Sequence, residues 1–184
     1  MTKNIAIVGS GVMGLTAAHQ VALRGASVTL YDRNRDVGRG CSWWAGGMLA
    51  LWCEMESAEP LIGELGLESM AYWRTHHKGV IAKGSLVVAP ARDLAELKRF
   101  AARTSHYRWI SREEIAALEP DLAGRFETGL FFEEETHLDP REALGALAKK
   151  LRDEFGVQFK MQTEMHPEDA SGDHVIDCRG LAAR

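Results

Sequence analysis

The chain has 184 residues, 46% of them hydrophobic and 26% charged, with a formal net charge of −4. That is an ordinary globular composition, enough for one good core or for one domain plus part of another. No dense Lys/Arg run is present, so nucleic acid is not an expected partner, and no apolar run is long enough to span a bilayer. Cys41, Cys53 and Cys178 are odd in number and lack metal-ligand spacing. Free thiols in a reducing cytoplasm are therefore expected, and no metal site. The sequence enters a glycine motif almost at once, which leaves no room for a secretory leader.

The first element is an apolar run, Asn4 to Val8, of the kind expected for a parallel strand covered on both faces. Gly9-x-Gly11-x-x-Gly14 follows directly and opens a helical stretch from about Val12 to Arg24. Ser27 to Tyr31 is a second strand, and it ends on Asp32. This is a βαβ unit with its parts in the order that binds a dinucleotide. Gly9 allows the tight turn, Gly11 the approach of a pyrophosphate, and Gly14 close packing of helix on sheet. The free N–H groups around Val12 and Met13 would face the phosphates with the helix dipole behind them. Asp32 can accept hydrogen bonds from the ribose hydroxyls of an adenosine. An acid there favours NAD or FAD over NADP, and Arg33, next in line, is a further candidate contact. The fingerprint alone does not separate NAD from FAD.

Beyond it, "GRGCSWWAGGMLALW" combines paired tryptophans with glycines and almost no charge. Glu59 to Arg74 reads as a helix with Pro60 in its first turn, weakened by Gly63 and Gly66. His76 and His77 end it and read as a solvated terminus, because adjacent histidines cannot face one metal from one helix side. "GSLVVAP" is a strand, and "RDLAELKRFAART" an amphipathic helix. "SREEIAALEPDL" starts with a capping box from Ser111 to Glu114. A strand at "GLFF" leads through Glu133 to Glu135, read as a solvated loop, into a helix with Asp139 as N-cap and Pro140 first. Glu142 is expected to complete a second capping box, and Gly156 closes that helix. "GVQFKMQTEM" and "DHVIDCRGLAAR" supply two further strands.

The stretch "GRGCSWWAGGML" resembles the D-amino-acid oxidase superfamily of FAD enzymes, and within it the glycine oxidases and thiamine-pathway oxidases. The order "ExxxxEP…HLDP" and the closing "VIDCRG" are similar to the same family. The resemblance implies an α/β fold: a Rossmann-like FAD-binding domain, a parallel sheet with helices on both faces, interrupted by part of an α+β substrate domain. The segments implied are 1–80 and 139–184 for the FAD domain and 81–138 for the substrate domain. It also implies that Cys41 and Ser42 lie near the FAD pyrophosphate and that Gly46, Gly47 and Met48 run along the flavin. Met165 would meet the adenine, and Gly180 would be a close-approach glycine. Family members with histidyl-linked FAD carry a Trp-His pair in this loop. Here Trp43-Trp44 stands there, which implies non-covalent FAD.

The activity implied is oxidation of a small amino acid or amine, best matched by glycine oxidase of thiamine biosynthesis. Hydride passes to the flavin, and dioxygen reoxidises it. The resemblance covers the N-terminal half of the family's length, so the catalytic residues are expected beyond Arg184 and none is named. A homo-oligomer, or a complementing C-terminal chain, is the expected partner. Two rival readings stay open: an NAD-dependent dehydrogenase of the 3-hydroxyacyl-CoA dehydrogenase type, which "GSGVMG" also resembles, and a non-catalytic nucleotide-binding fragment or subunit.

Overall fold

The computed structural model describes residues 2–183. The chain forms two compact units, one built from the residues up to Gly46 and again from Asp139 onward, the other from Gly47–Leu138. In the first unit β1 (Asn4–Val8) leads through the glycine turn into α1 (Val12–Leu23), and β2 (Ser27–Tyr31) follows. Burial of β1 from Ile5 to Val8 is what a central strand with two covered faces requires. β2 runs parallel to it, with Ile5 opposite Val28 and Ile7 opposite Leu30. A one-turn helix, α2 (Cys41–Trp44), completes this stretch.

The second unit opens with β3 (Met48–Leu49), α3 (Leu51–Glu54) and the long helix α4 (Pro60–His76). Gly63 and Gly66 cost α4 some helix propensity, yet they lie on the side where α3 packs. A Cβ at either would press within 2.9 Å of Met55 Sδ or Leu51 Cδ1, and Met70 and Trp73 continue the same buried stripe. At the end of α4 the solvated terminus expected of the two histidines is not seen: His76 is half-buried, and so is His77. Its ring folds back over Gly79, which leaves Nε2 buried without a hydrogen bond.

β4 (Ser85–Val88), α5 (Leu94–Arg103), β5 (Arg108–Ser111), α6 (Arg112–Leu118) and β6 (Thr128–Phe132) come next. The three strands form an antiparallel sheet in the order β4-β6-β5. Alternation along β6 sends Leu130 and Phe132 to Leu97 and Ala101 of α5, and Phe131 to Ile110 and Ile115. The capping box at α6 forms: Ser111 Oγ accepts the Glu114 N–H, and Glu114 Oε2 accepts the Ser111 N–H at 2.9 Å.

β7 (Thr136–His137) pairs with β3, Thr136 opposite Leu49 and His137 opposite Met48. That pairing overturns the solvated reading of one carboxylate. Glu133 and Glu134 are exposed, but Glu135 is fully buried. Its Oε1 accepts the Cys53 N–H at 2.8 Å, and its Oε2 is buried without a hydrogen bond. Burial first, and then the Glu135 charge beside it, push the Cys53 thiol far above its ordinary value.

The chain returns to the first unit through α7 (Pro140–Phe155), β8 (Gln158–Lys160) and β9 (His174–Asp177). Asp139 is the N-cap and Pro140 the first helical residue, but the expected box with Glu142 does not form. Asp139 Oδ1 bonds the Arg141 N–H, one residue earlier than a box requires. α7 buries Leu144, Leu147 and Leu151 and lies beside α1, where the His19 ring meets Phe155 edge-on at 5.4 Å. β8 adds to β2 and β9 to β1, giving a parallel sheet in the order β8-β2-β1-β9. The fold is therefore α/β, a parallel Rossmann-like sheet accompanied by small antiparallel sheets. On the N-terminal side the units divide at Gly46/Gly47, so residues 47–80 pack within the second unit.

Candidate dinucleotide site

β1 has neighbours on both sides, β2 reached through α1 and β9 reached from the far end of the chain. Its carboxyl end is a switch point, the place where open α/β sheets leave a crevice for ligands. Gly9 stands there with φ +109°, and its N–H bonds the Tyr31 carbonyl at 2.8 Å. A Cβ on Gly9 would lie 2.4 Å from the Cys178 carbonyl oxygen, and one on Gly14 only 1.8 Å from the Gly9 carbonyl oxygen. Strand, turn and helix are thus in backbone contact, which no side chain at either position permits.

Gly11 is the extended N-cap of α1. The first N–H groups of the helix, those of Val12, Met13 and Gly14, have no acceptor within it. Ser42 Oγ, from α2, accepts the Val12 N–H at 3.0 Å, and a Cβ on Gly11 would come within 3.1 Å of that hydroxyl. The loop carrying Ser42 is tied down a second time, where the Gly38 N–H bonds the Ser10 carbonyl at 2.9 Å. Cys41 is exposed beside Ser42. Trp43 is half-buried under two guanidiniums, Arg39 at 3.7 Å and Arg141 at 5.5 Å from its ring, whereas Trp44 is 79% exposed. Gly46 is exposed at the end of this stretch. Gly47 and Met48 lie in the second unit, where the Gly47 carbonyl accepts the Leu138 N–H and Met48 pairs within β3.

Asp32 follows β2. Its Oδ2 accepts the Ser10 N–H at 2.7 Å and the Ser10 hydroxyl at 2.6 Å. Its Oδ1 accepts the Asn34 N–H at 2.8 Å and Asn34 Nδ2 at 2.9 Å. Arg33 is exposed. The segment beyond β8 is pinned alongside: the Thr163 N–H bonds the Asp32 carbonyl and the Gln162 N–H the Asn34 carbonyl. Met165, two residues on, is half-buried. Past β9, the Cys178 N–H bonds the Val8 carbonyl at 2.7 Å, and burial, then Asp177, raise the Cys178 thiol. Arg179 holds Asp177 through two nitrogens and lowers its carboxyl below the usual range. Gly180 has φ +63°, and a Cβ there would meet nothing within 4 Å.

The structure therefore gathers Gly9, Gly11, Val12, Met13, Gly14, Ser42 and Asp32 around one end of the parallel sheet. These residues fit a dinucleotide: first-turn N–H donors, a Gly11 whose added Cβ would crowd the Ser42 hydroxyl beside the helix start, and an acid at the end of the second strand. Sequence reasoning missed Ser10 and Asn34, and it held Cys178 only as part of the closing "VIDCRG" signature. Asn34, two residues after Asp32, carried the signal of an Asx-type turn. Cys178 lay inside a recognised motif, but only the closing of β9 on β1 brings its backbone against Val8 and Gly9. Among the described residues no group of three His, Cys, Asp or Glu is placed to hold a metal, and no helix is long and apolar enough to cross a membrane.

A parallel sheet with this crevice, glycine turn and terminal acid is the architecture of a dinucleotide-binding domain. The chain belongs to the DAO family of FAD dependent oxidoreductases, whose sequence profile matches residues 4–183. It is 48% identical over 180 residues to a Rhizobium etli protein named for thiamine biosynthesis oxidoreductase ThiO, covering 97% of this chain and 54% of that one. A Pseudomonas aeruginosa glycine oxidase is 25% identical over 195 residues, covering 96% and 50%. Glycine oxidase from Geobacillus kaustophilus shares the fold, with a TM-score of 0.79 at 22% identity over 99% of this chain and 57% of that one. The chain spans about half the length of the curated relatives it matches.

Proposed function

We propose that this chain is the non-covalent FAD-binding portion of an oxidase of small amino acids or amines, with glycine as the best-supported substrate. The observation that carries this reading is the crevice at the carboxyl end of β1. There the Gly9–Gly14 turn, the α1 N-terminus and Ser42 offer an anion neutral, hydrogen-bonding surroundings. The first-turn N–H groups of α1 and the Ser42 hydroxyl hold the pyrophosphate, and the Asp32 region holds the adenosine. Gly46, Gly47 and Met48 follow the flavin, Met165 and Gly180 flank the nucleotide, and Cys41 and Arg33 lie at its border. The chemistry a bound FAD supplies is acceptance of hydride from the substrate carbon and return of the electrons to dioxygen. The chain's own part is to bind and orient. Family membership and the names of the relatives support the amine substrate, and they favour FAD over NAD. A cytoplasmic setting follows from the three free thiols.

The test is the visible spectrum of the purified chain after FAD is added and the excess removed. A retained and perturbed flavin band is expected, and glycine or N-methylglycine should bleach it anaerobically once the remainder of a full-length relative is supplied. A chain folded by circular dichroism that retains NAD and no flavin overturns the reading.

A further inference from the structure

α2 is a helix of a single turn: four residues, none of them fully buried, and no side-chain cap. A segment so short has no helical stability of its own, so neighbouring elements must hold it in place. One attachment is Gly38, which lies against α7 at φ +73°, where a Cβ would stand 2.8 Å from Leu144 Cδ1. The other is the half-buried indole of Trp43. The Arg39 guanidinium lies 3.7 Å and the Arg141 guanidinium 5.5 Å from the centre of its ring. Both are close enough for cation–π attraction, and a planar guanidinium can also stack on the ring. Arg39 sits just before α2 and Arg141 in α7, so the indole is where two distant parts of the chain meet. The place of Arg141 is unfavourable by itself: it is the second residue of α7, where a cation opposes the helix dipole. Asp139 offsets part of that cost, its Oδ1 standing 3.6 Å from Arg141 Nη1. The contact with Trp43 gives this misplaced cation a task.

We infer that Arg39, Trp43 and Arg141 form a cation–π clamp that orders the loop 38–44 on α7 before any cofactor arrives. The three are positioning residues for cofactor binding, a role that rests on the FAD reading above. Ser42 is the chain neighbour of Trp43, so the seat of the indole sets where the Ser42 hydroxyl stands beside the start of α1. A loop already ordered loses less conformational freedom when a ligand binds, and the saving appears as affinity. None of the three side chains needs to touch the cofactor for this to hold.

The experiment has two readouts on the whole chain. The first needs no cofactor: hydrogen exchange of the ligand-free protein, followed by mass spectrometry on peptides covering residues 38–46. Arg141→Gln should speed exchange there about fivefold, the value of one cation–π contact, and Trp43→Ala about tenfold or more. Trp43→Phe keeps an aromatic face and should recover most of the protection. Peptides from β1 and β2 should exchange as in the wild type, which separates loss of the clamp from a general loosening. The second readout is FAD affinity by flavin fluorescence titration. Arg141→Gln should weaken FAD about fivefold in the wild-type background, and not at all once Trp43→Ala is present. A guanidinium that met the phosphates directly would cost the same affinity in both backgrounds and would leave the exchange of the free loop unchanged. Either of those results overturns the inference, as does a Trp43→Ala chain whose loop exchanges like wild type. If the folded wild type retains no FAD while the variants still speed loop exchange, the clamp stands, and the FAD reading fails together with the cofactor role built on it.

Discussion

Replacing Gly14 by alanine sets two effects of opposite sign against each other. Gly14 lies in the first turn of α1, so by helix propensity alone alanine would stabilise the chain by about 1 kcal/mol. The new Cβ, however, would stand 1.8 Å from the Gly9 carbonyl oxygen and 3.4 Å from Cys178 Cβ. The oxygen belongs to backbone wedged between β1 and β9, so no side chain can swing aside. Even a tight contact of about 3 Å would need α1 to withdraw by more than an ångström from a close-packed interior. Overpacking of this severity costs about 3 kcal/mol or more, which outweighs the propensity gain. For a chain of this size that is a fall in Tm of roughly 5 °C or more. Gly145→Ala is the matched control, because Gly145 is exposed in α7 and a Cβ there meets nothing within 4 Å. It should raise the Tm slightly, through propensity alone. Thermal unfolding followed by circular dichroism decides: a Gly14→Ala chain melting within a degree of wild type would refute the close approach of turn and helix.

The three cysteines should differ in reactivity towards iodoacetamide at pH 8. Exposed Cys41 should react first, and Cys53, whose thiol is raised by burial and by Glu135, should react last. Glu135→Gln should then speed Cys53 labelling, read by peptide mass spectrometry; an unchanged rate would show that the carboxylate plays no part. A third expectation concerns acid. The Arg179 guanidinium holds Asp177 below the usual aspartate range, so the folded state binds that proton less readily than the unfolded chain. The resulting stabilisation is complete above the unfolded aspartate value of about pH 4 and is lost as pH falls through the lower folded value. Urea midpoints of wild type and Arg179→Gln should accordingly differ at pH 6 and draw together as pH falls below about 4. A gap that stays constant with pH would place the contribution of Arg179 elsewhere.

The sequence by itself determined the local geometry of this protein. The run Asn4–Val8, the 9-11-14 glycine spacing and the second strand ending at Asp32 are adjacent in the chain, and their hydrophobic period and turn chemistry act over a few residues. The same holds for the Ser111–Glu114 box and for the stop at Gly156. Only the tertiary structure decided where distant segments meet. Glu135 looked solvated in a run of three acids, and it is buried because β7 pairs with β3, which lies more than eighty residues earlier in the chain. Gly63 and Gly66 looked like defects in a helix until α3 packed against them. Asp32 stood as a lone acid at a strand end, and Ser10 donates to it only because the turns after β1 and β2 come together at the carboxyl end of the sheet. A carboxylate's neighbours are set by the folding of the whole chain, and its own residue type says only that it will seek donors.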